Sequence, residues 1–80
     1  MLGFDPPLQS LRYWVLGVND PAMGAERSLD GEHRLVRLQQ DGWQVAYDEY
    51  MAVQRRWLPR RLTLTHQQLR LRLVINVWQL

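Results

Sequence analysis

The carboxyl-terminal stretch, Leu69–Leu80, reads Leu-Arg-Leu-Arg-Leu-Val-Ile-Asn-Val-Trp-Gln-Leu. Apolar residues occupy alternate positions from Leu69 to Val77, and Arg70, Arg72 and Asn76 fall between them. A period of two is typical of a β-strand, whose side chains point alternately to two faces. At ~3.3 Å per residue this strand would extend about 40 Å, beyond the ~17–20 Å that is usual. The stretch therefore predicts a long strand at about residues 69–79, with an apolar face that the rest of the chain must cover.

An amphipathic helix is predicted at about residues 7–17. Asp5-Pro6-Pro7 is typical of a helix start, and Gly17 before Asn19-Asp20-Pro21 indicates the end. The helical spacing of the apolar residues places Ser10 and Tyr13 away from the apolar stripe of this helix. A helix of about three turns is unstable alone, so we expect it to dock on the sheet. The stripe consists of Leu8, Leu11, Trp14, Val15 and Val18.

Further strands are predicted at about residues 26–29, 33–39, 43–50 and 60–66, with residues 48–59 forming a longer connection. Asp41-Gly42 is a strong signal for a two-residue hairpin turn. In the strand predicted at about residues 33–39 we expect Leu35 on one face and Val36 and Leu38 on the other. The sequence thus predicts a single α+β domain over residues 1–80. In it, the helix packs on an antiparallel meander of four or five strands, neighbours in sequence being neighbours in the sheet.

Composition sets limits on the class of protein. Eighty residues make one domain or part of one, and the net charge of +2 argues against a dedicated nucleic-acid binder. The ten basic residues are all arginine, and cysteine is absent. No run of ~18 apolar residues and no signal-peptide pattern is found. We therefore expect either a cytosolic chain or a piece of a longer exported precursor.

The residues needed for catalysis or metal binding do not form a recognisable pattern. His33 and His66 lie in or beside predicted turns, without the ligand spacing of a metal site. Asp48 and Glu49 are adjacent, so in a strand they point to opposite faces and cannot act as a pair. We expect no enzyme activity, no metal and no cofactor.

An apolar sheet face is the most informative feature for function. It is either an ordinary core under the helix or, where one short helix leaves it uncovered, a partner interface or a site for an apolar ligand. This predicted wall consists of Trp43, Val45, Tyr47, Leu62, Leu64, Leu71, Leu73 and Ile75.

A second candidate is an arginine-rich segment around Trp57. Arginine is suited to bidentate contacts and tryptophan to interfaces, so the segment is either a docking patch for anionic lipid or an acidic protein, or a solvated loop. Its residues are Arg55, Arg56, Trp57, Arg60 and Arg61.

The sequence resembles the LolB family, the outer-membrane lipoprotein receptors of Gram-negative bacteria. Residues 7–17, Pro-Leu-Gln-Ser-Leu-Arg-Tyr-Trp-Val-Leu-Gly, resemble the family's Pro-Leu-x-Ser-Leu-Arg-x-Trp-hydrophobic-Leu-Gly helix. Three matches follow in order: residues 43–47, residues 59–65, and residues 70–73 together with Trp78. The resemblance covers nearly the whole chain and corresponds to the carboxyl-terminal part, less than half, of such a protein.

The resemblance implies an unclosed antiparallel β-barrel with helices in its mouth, whose apolar interior holds lipoprotein acyl chains without catalysis. Such receptors accept lipoproteins from the periplasmic carrier LolA and place them in the inner leaflet of the outer membrane. On this reading Leu11, Trp14 and Val15 form the helix side of the acyl-chain site, opposite the predicted wall. The family's lipid-bearing cysteine, earlier strands and protruding apolar loop have no match here.

The alternative is a small structural module that self-associates, for example as a homodimer, through its open sheet. RNA binding on the arginine-bearing sheet face is a weaker alternative. The sequence leaves open whether Met1 is a natural start, whether the piece acts alone, and which cargo it takes.

Overall fold

The fold consists of one short helix followed by an antiparallel sheet of five strands. The computed structural model describes residues 8–76 and 78. The elements are α1 (Leu8–Trp14), β1 (Glu26–Leu29), β2 (Leu35–Gln40), β3 (Trp43–Val53), β4 (Arg56–His66) and β5 (Leu69–Val74). The strands lie in the sheet in chain order, and the sheet is not closed. This confirms the predicted antiparallel meander preceded by a helix.

The α1 helix is shorter than predicted. It ends at Trp14, and residues after it form a tight turn in which Val18 N donates to Tyr13 O and Gly17 N donates to Trp14 O. Gly17 has a φ of 83°, the left-handed conformation that closes this type of helix end. The predicted start at residues 5–7 lies outside the described residues. Within the described part of the chain, no helix is long and apolar enough to cross a bilayer.

Two of the hairpin turns lie where the sequence placed them. Asp41 and Gly42 have φ values of 55° and 78°, and they join β2 to β3 with Gln40 paired to Trp43. Two consecutive residues with positive φ are typical of the turn that suits the twist of a hairpin. Gln67, with a φ of 55°, turns β4 into β5, where His66 pairs with Leu69.

The prediction of a long connection at residues 48–59 is wrong. β3 and β4 instead pair as far as Val53 and Arg56, around a turn at residues 54–55 in which Gln54 has a φ of 58°. Among the described residues no third strand pairs with residues 50–59, which we call the hairpin arm. Pro59 lies within β4, where a proline is tolerated because this part of the strand has an open edge.

A β-bulge changes the faces of β2. Ser28 pairs with Arg37 but Leu29 pairs with Leu35, which leaves Val36 as the extra residue. As a result Leu35 and Leu38 are both buried and Val36 is exposed. The expectation that Leu35 and Leu38 lie on opposite faces is therefore wrong, because the bulge shifts the alternation by one residue.

The start of β2 also differs from the prediction. The strand begins at Leu35 and not at residue 33, because His33 lies in a turn with a φ of 63°. Asp30 Oδ1 accepts hydrogen bonds from Glu32 N at 2.8 Å and Arg34 N at 2.9 Å, which hold this turn.

The last strand is shorter than its alternation predicted. β5 ends at Val74, and beyond it Ile75 N donates to Arg60 O at 2.7 Å and Trp78 Nε1 donates to Pro59 O at 2.8 Å. Val77, Gln79 and Leu80 lie outside the described residues. The side-chain period nevertheless persists, with Ile75 half-buried and Asn76 exposed. Alternation reports which face a side chain takes, and it does not fix how far the backbone pairing extends.

The core lies on one face of the sheet. Of the predicted helix stripe only Trp14 is fully buried, Leu11 and Val15 are half-buried, and Leu8 and Val18 are 71% and 46% exposed. The predicted stripe is therefore wrong at both ends, since the helix is too short to bury all of it. The core cluster consists of Trp14, Leu35, Leu38, Trp43, Val45, Tyr47, Leu62 and Leu64.

Candidate apolar ligand site

Most of the predicted wall is buried within this chain. Five of its residues belong to the core cluster and have at most 6% of their surface exposed: Trp43, Val45, Tyr47, Leu62 and Leu64. These residues hold the fold together in the way an ordinary core does. We call them the floor of the candidate site.

The remaining wall residues form a partly open rim. Leu71 and Leu73 pack against the core and stay half-buried, as does Ile75. The pairing of β4 with β5 places Leu71 beside Leu64 and Leu73 beside Leu62. Because paired residues of an antiparallel ladder share a face, the apolar surface runs from the floor to the edge strand without a polar break.

A buried glutamine connects the loop before the sheet to the helix. Gln40 Oε1 accepts hydrogen bonds from Trp14 Nε1 at 2.9 Å and from Asp20 N at 3.0 Å. Its amide Nε2 donates to Asp20 O at 2.8 Å and to Met23 O at 2.9 Å. With 2% exposure Gln40 depends on these partners, because an unpaired polar group is costly to bury.

Asp20 extends this polar network to the helix. Its carboxylate accepts hydrogen bonds from Ser10 Oγ at 2.7 Å and from Ala22 N at 2.9 Å. The Ala22 amide and then the Ser10 hydroxyl lower the pKa of Asp20, and burial opposes them. Ser10 was expected to face away from the sheet, and this was wrong: it is 1% exposed and paired with Asp20.

Two tyrosines anchor the other side of the floor. Tyr47 Oη donates to Trp14 O at 2.6 Å, and Tyr50 Oη donates to Leu35 O at 2.6 Å. Their rings stack with centroids 5.9 Å apart. Burial raises the pKa of Tyr47, and mainly burial raises the pKa of Tyr50 to about 12. Both hydroxyls therefore stay protonated donors at neutral pH.

Sequence reasoning missed Gln40, Asp20 and Ser10. For Gln40 a signal was present: a two-residue turn at Asp41-Gly42 makes Gln40 the partner of Trp43, so both must share the apolar face. For Asp20 and Ser10 the sequence carries no comparable signal, since their contact spans a loop.

The opposite face of the sheet is polar and holds an open groove of about 580 Å³. Arg37, Arg70 and Arg72 line it together with Thr63, whose hydroxyl donates to Asp48 Oδ2 at 2.8 Å. The groove therefore lies on the face away from the predicted wall, and it is not the candidate apolar site.

The predicted docking patch divides into two parts. Arg60 and Arg61 lie beside Glu49, with N–O distances of 3.0 and 3.2 Å to its carboxylate. Arg55, Arg56 and Trp57 are exposed in the hairpin arm. Two of the four arginines of the predicted patch are thus ion-paired with Glu49, and no ion pair of the described residues includes the other two.

Histidine and carboxylate side chains do not converge on a metal site in the described residues. His66 instead stacks on Trp43, with ring centroids 4.9 Å apart. The buried polar side chains of Ser10, Asp20 and Gln40 form hydrogen bonds that stabilise the core.

An open antiparallel sheet with a helix before it and one apolar face that is only partly covered defines an α+β open-sheet domain. Comparison with known families makes this more specific. The chain belongs to the outer membrane lipoprotein LolB family, whose family model matches residues 1–78. The resemblance inferred from the helix motif and the strand motifs is confirmed.

Individual relatives agree with this assignment. The outer-membrane lipoprotein LolB of Nitrosococcus oceani is 46% identical over 80 residues, which are 99% of this chain and 40% of that protein. The proteins of the same name from Pseudomonas aeruginosa PAO1 and Nitrosomonas europaea are 44% and 40% identical, covering 98% and 99% of this chain and 38% of each relative. The chain thus spans about two fifths of the length of these relatives.

Proposed function

We propose that the chain forms part of a LolB-type receptor and that its apolar sheet face binds lipoprotein acyl chains. The observation that carries the proposal is the apolar surface that continues from the buried floor to the half-buried Leu71 and Leu73, with the half-buried Ile75 following them along the chain. An acyl chain laid along this rim would be stabilised by roughly 0.8 kcal/mol per buried methylene. Binding of this kind needs no catalytic group, and the proposed role is non-enzymatic.

The floor and the rim have different roles in this proposal. Leu71, Leu73 and Ile75, with the half-buried Leu11 and Val15, supply surface that a ligand reaches directly. Trp14 covers the floor and is held by Gln40 and Tyr47, so the floor opens only when this contact is broken. The expectation that the helix packs across an unclosed barrel remains part of the proposal.

The parent protein, on this proposal, accepts lipoproteins from the periplasmic carrier LolA and places them in the inner leaflet of the outer membrane. Support comes from family membership and from relatives named outer-membrane lipoproteins. The activity requires more than this chain, which spans about two fifths of those relatives.

A fluorescent fatty-acid probe tests the acyl-chain site. Leu71→Glu places a charge on the rim, and we expect a loss of affinity of roughly tenfold, about 1.4 kcal/mol. Val74→Glu is the matched control, because Val74 lies in the same strand and is 52% exposed. Equal affinity of Leu71→Glu and the parent chain would reject the assigned rim.

The second candidate is self-association through the open sheet edges. β1 and β5 each pair with one strand only among the described residues, and Leu29 and Val74 on them are 49% and 52% exposed. An unpaired edge strand offers free backbone groups to a second copy. Light scattering coupled to size exclusion tests this: a dimer that Leu29→Lys dissociates supports it, and a monomer at high concentration rejects it.

A further inference from the structure

The free end of the hairpin arm carries positive charge without a counter-ion. Residues 50–58 read Tyr-Met-Ala-Val-Gln-Arg-Arg-Trp-Leu and include no carboxylate. Glu49 pairs with Arg60 and Arg61 at the base, whereas no ion pair of the described residues includes Arg55 or Arg56. The two guanidinium groups nearest the turn are therefore available to an external anion.

An exposed indole accompanies these charges. Trp57 is 54% exposed, although its size would favour burial. The guanidinium of Arg34 lies 4.9 Å from the centroid of its ring, and Asp30 Oδ2 fixes Arg34 Nε at 2.9 Å. This contact supports one side of the ring and leaves the rest of it open to solvent.

The pairing of the arm determines how these residues meet a surface. Arg56 pairs with Val53 and Trp57 pairs with Ala52, so Arg56 and Trp57 point to opposite faces of the arm. Only the end of the arm presents both of them together with Arg55. Trp57 belongs to the second residue pair from the turn, which places it roughly 5–7 Å from the end of the arm at ~3.4 Å per residue. This distance is comparable to the depth that amphipathic elements reach in a bilayer interface.

We propose that the end of the hairpin arm, formed by Arg55, Arg56 and Trp57, docks end-on to an anionic phospholipid bilayer. Guanidinium groups bind phosphate oxygens with paired hydrogen bonds, and tryptophan is enriched at the membrane interface. A rigid acidic protein is the less suitable partner, because a stable interface needs about 800 Å² per partner and a two-stranded tip is narrow. This inference does not depend on acyl-chain binding at the apolar rim.

Vesicle binding by the full chain tests the proposal. We expect binding to vesicles of phosphatidylcholine mixed with phosphatidylglycerol, and little to phosphatidylcholine alone. The double variant Arg55→Gln/Arg56→Gln should bind roughly tenfold more weakly or worse. The matched control, Arg70→Gln/Arg72→Gln, removes the same charge from the polar sheet face and should stay within about twofold of the parent.

Brominated lipids test the position of the indole. They should quench part of the tryptophan emission of the parent chain, and Trp57→Phe should remove that part. The substituted residues are exposed, so thermal unfolding should confirm that each variant is folded. Fatty-acid probe binding should be unchanged in the arm variants, which separates this test from that of the proposed function.

Three results would overturn the proposal. If the Arg55/Arg56 and the Arg70/Arg72 variants lost the same affinity for anionic vesicles, net charge alone would drive binding. Unchanged vesicle binding of the arm variant would exclude the arm. Binding to soluble polyglutamate but not to vesicles would assign the arm to an acidic protein.

Discussion

Trp14 Nε1 donates a hydrogen bond of 2.9 Å to Gln40 Oε1, and both side chains are buried. The two residues belong to the end of α1 and the end of β2, so this bond connects the helix to the sheet, as does the bond from Tyr47 Oη to Trp14 O. The same glutamine also bonds the backbone of Asp20 and Met23 in the intervening loop. A polar side chain in an apolar core thus determines where the loop and the helix lie.

Gln40→Leu should destabilise the chain strongly. Leucine has a similar volume but leaves Trp14 Nε1 and Asp20 N without a partner, and each unsatisfied buried group costs about 1–3 kcal/mol. We expect a loss of roughly 2–5 kcal/mol in the free energy of unfolding, measured by urea titration. Gln39→Leu is the control, since Gln39 is exposed and should change stability by less than about 0.5 kcal/mol. Similar losses in the two variants would contradict the role of Gln40.

Gly17→Ala should destabilise the end of the helix. Gly17 has a φ of 83°, and a side chain in the left-handed region costs about 1–2 kcal/mol. The added Cβ would lie 3.4 Å from Pro59 Cγ, so the cost arises from the backbone and not from a severe clash. Gly31→Ala is the control, because a Cβ there meets nothing within 4 Å and its φ is not positive. Chemical unfolding should give a lower free energy of unfolding for Gly17→Ala than for Gly31→Ala, and equal values would contradict the assigned helix end.

The faces of β5 and of the adjoining parts of β3 and β4, residues 43–47 and 60–66, could be predicted from sequence because their apolar residues keep a period of two. Val45, Leu64 and Leu71 lie side by side on the apolar face, as alternation required. The turn at Asp41-Gly42 was also predictable, since few residue pairs accept two consecutive positive φ values. Both the strand faces and this turn depend on residues that are close together in the sequence.

The features that sequence did not reveal depend on contacts between distant residues. Val36 becomes a bulge only through the register that β2 adopts against β1, and this bulge brings Leu35 onto the face that Leu38 takes by pairing with Val45. Ser10 is buried because Asp20 accepts its hydrogen bond across a loop. In the candidate site, alternation identified the apolar face, but it could not tell the buried floor from the half-buried rim, because coverage depends on where Trp14 docks.

Asp20 should make stability depend on pH in the acid range. Hydrogen bonds from Ala22 N and Ser10 Oγ lower its pKa in the folded chain. The unfolded chain, with a pKa of about 3.9, therefore binds the proton first, so the contribution of Asp20 is complete above that pH and is lost as the pH falls through the lowered pKa. Unfolding midpoints measured at about pH 6 and about pH 3 should differ more for the parent than for Asp20→Asn.

Ser10→Ala provides a graded control for this prediction. It removes the hydroxyl donor but keeps the Ala22 amide, which has the larger effect on the pKa of Asp20. Its pH dependence should lie between those of the parent and Asp20→Asn. A pH dependence that Asp20→Asn leaves intact would instead assign the effect to another carboxylate, and Asp30, whose pKa the Arg34 amide lowers most, is the first to examine.

Arg34 should stabilise the hairpin arm by connecting it to the turn before β2. Its guanidinium lies 5.4 Å from the ring centroid of Tyr50 and 4.9 Å from that of Trp57, and its Nε pairs with Asp30. Partly exposed cation–π contacts contribute about 0.5–1 kcal/mol each and a surface ion pair about 0–1 kcal/mol. Arg34→Gln should therefore lower the free energy of unfolding by roughly 1–2 kcal/mol.

A double-mutant cycle measures how much of the stabilisation by Arg34 depends on its contact with Trp57. Arg34→Gln, Trp57→Leu and the combined variant should give a coupling energy of about 0.5–1 kcal/mol in urea titrations. Arg37→Gln paired with Trp57→Leu is the matched control, because Arg37 lines the groove on the polar face and should show no coupling. If Arg34 and Trp57 are additive within error, the guanidinium stabilises the arm and the turn through Tyr50 and Asp30 and not through Trp57.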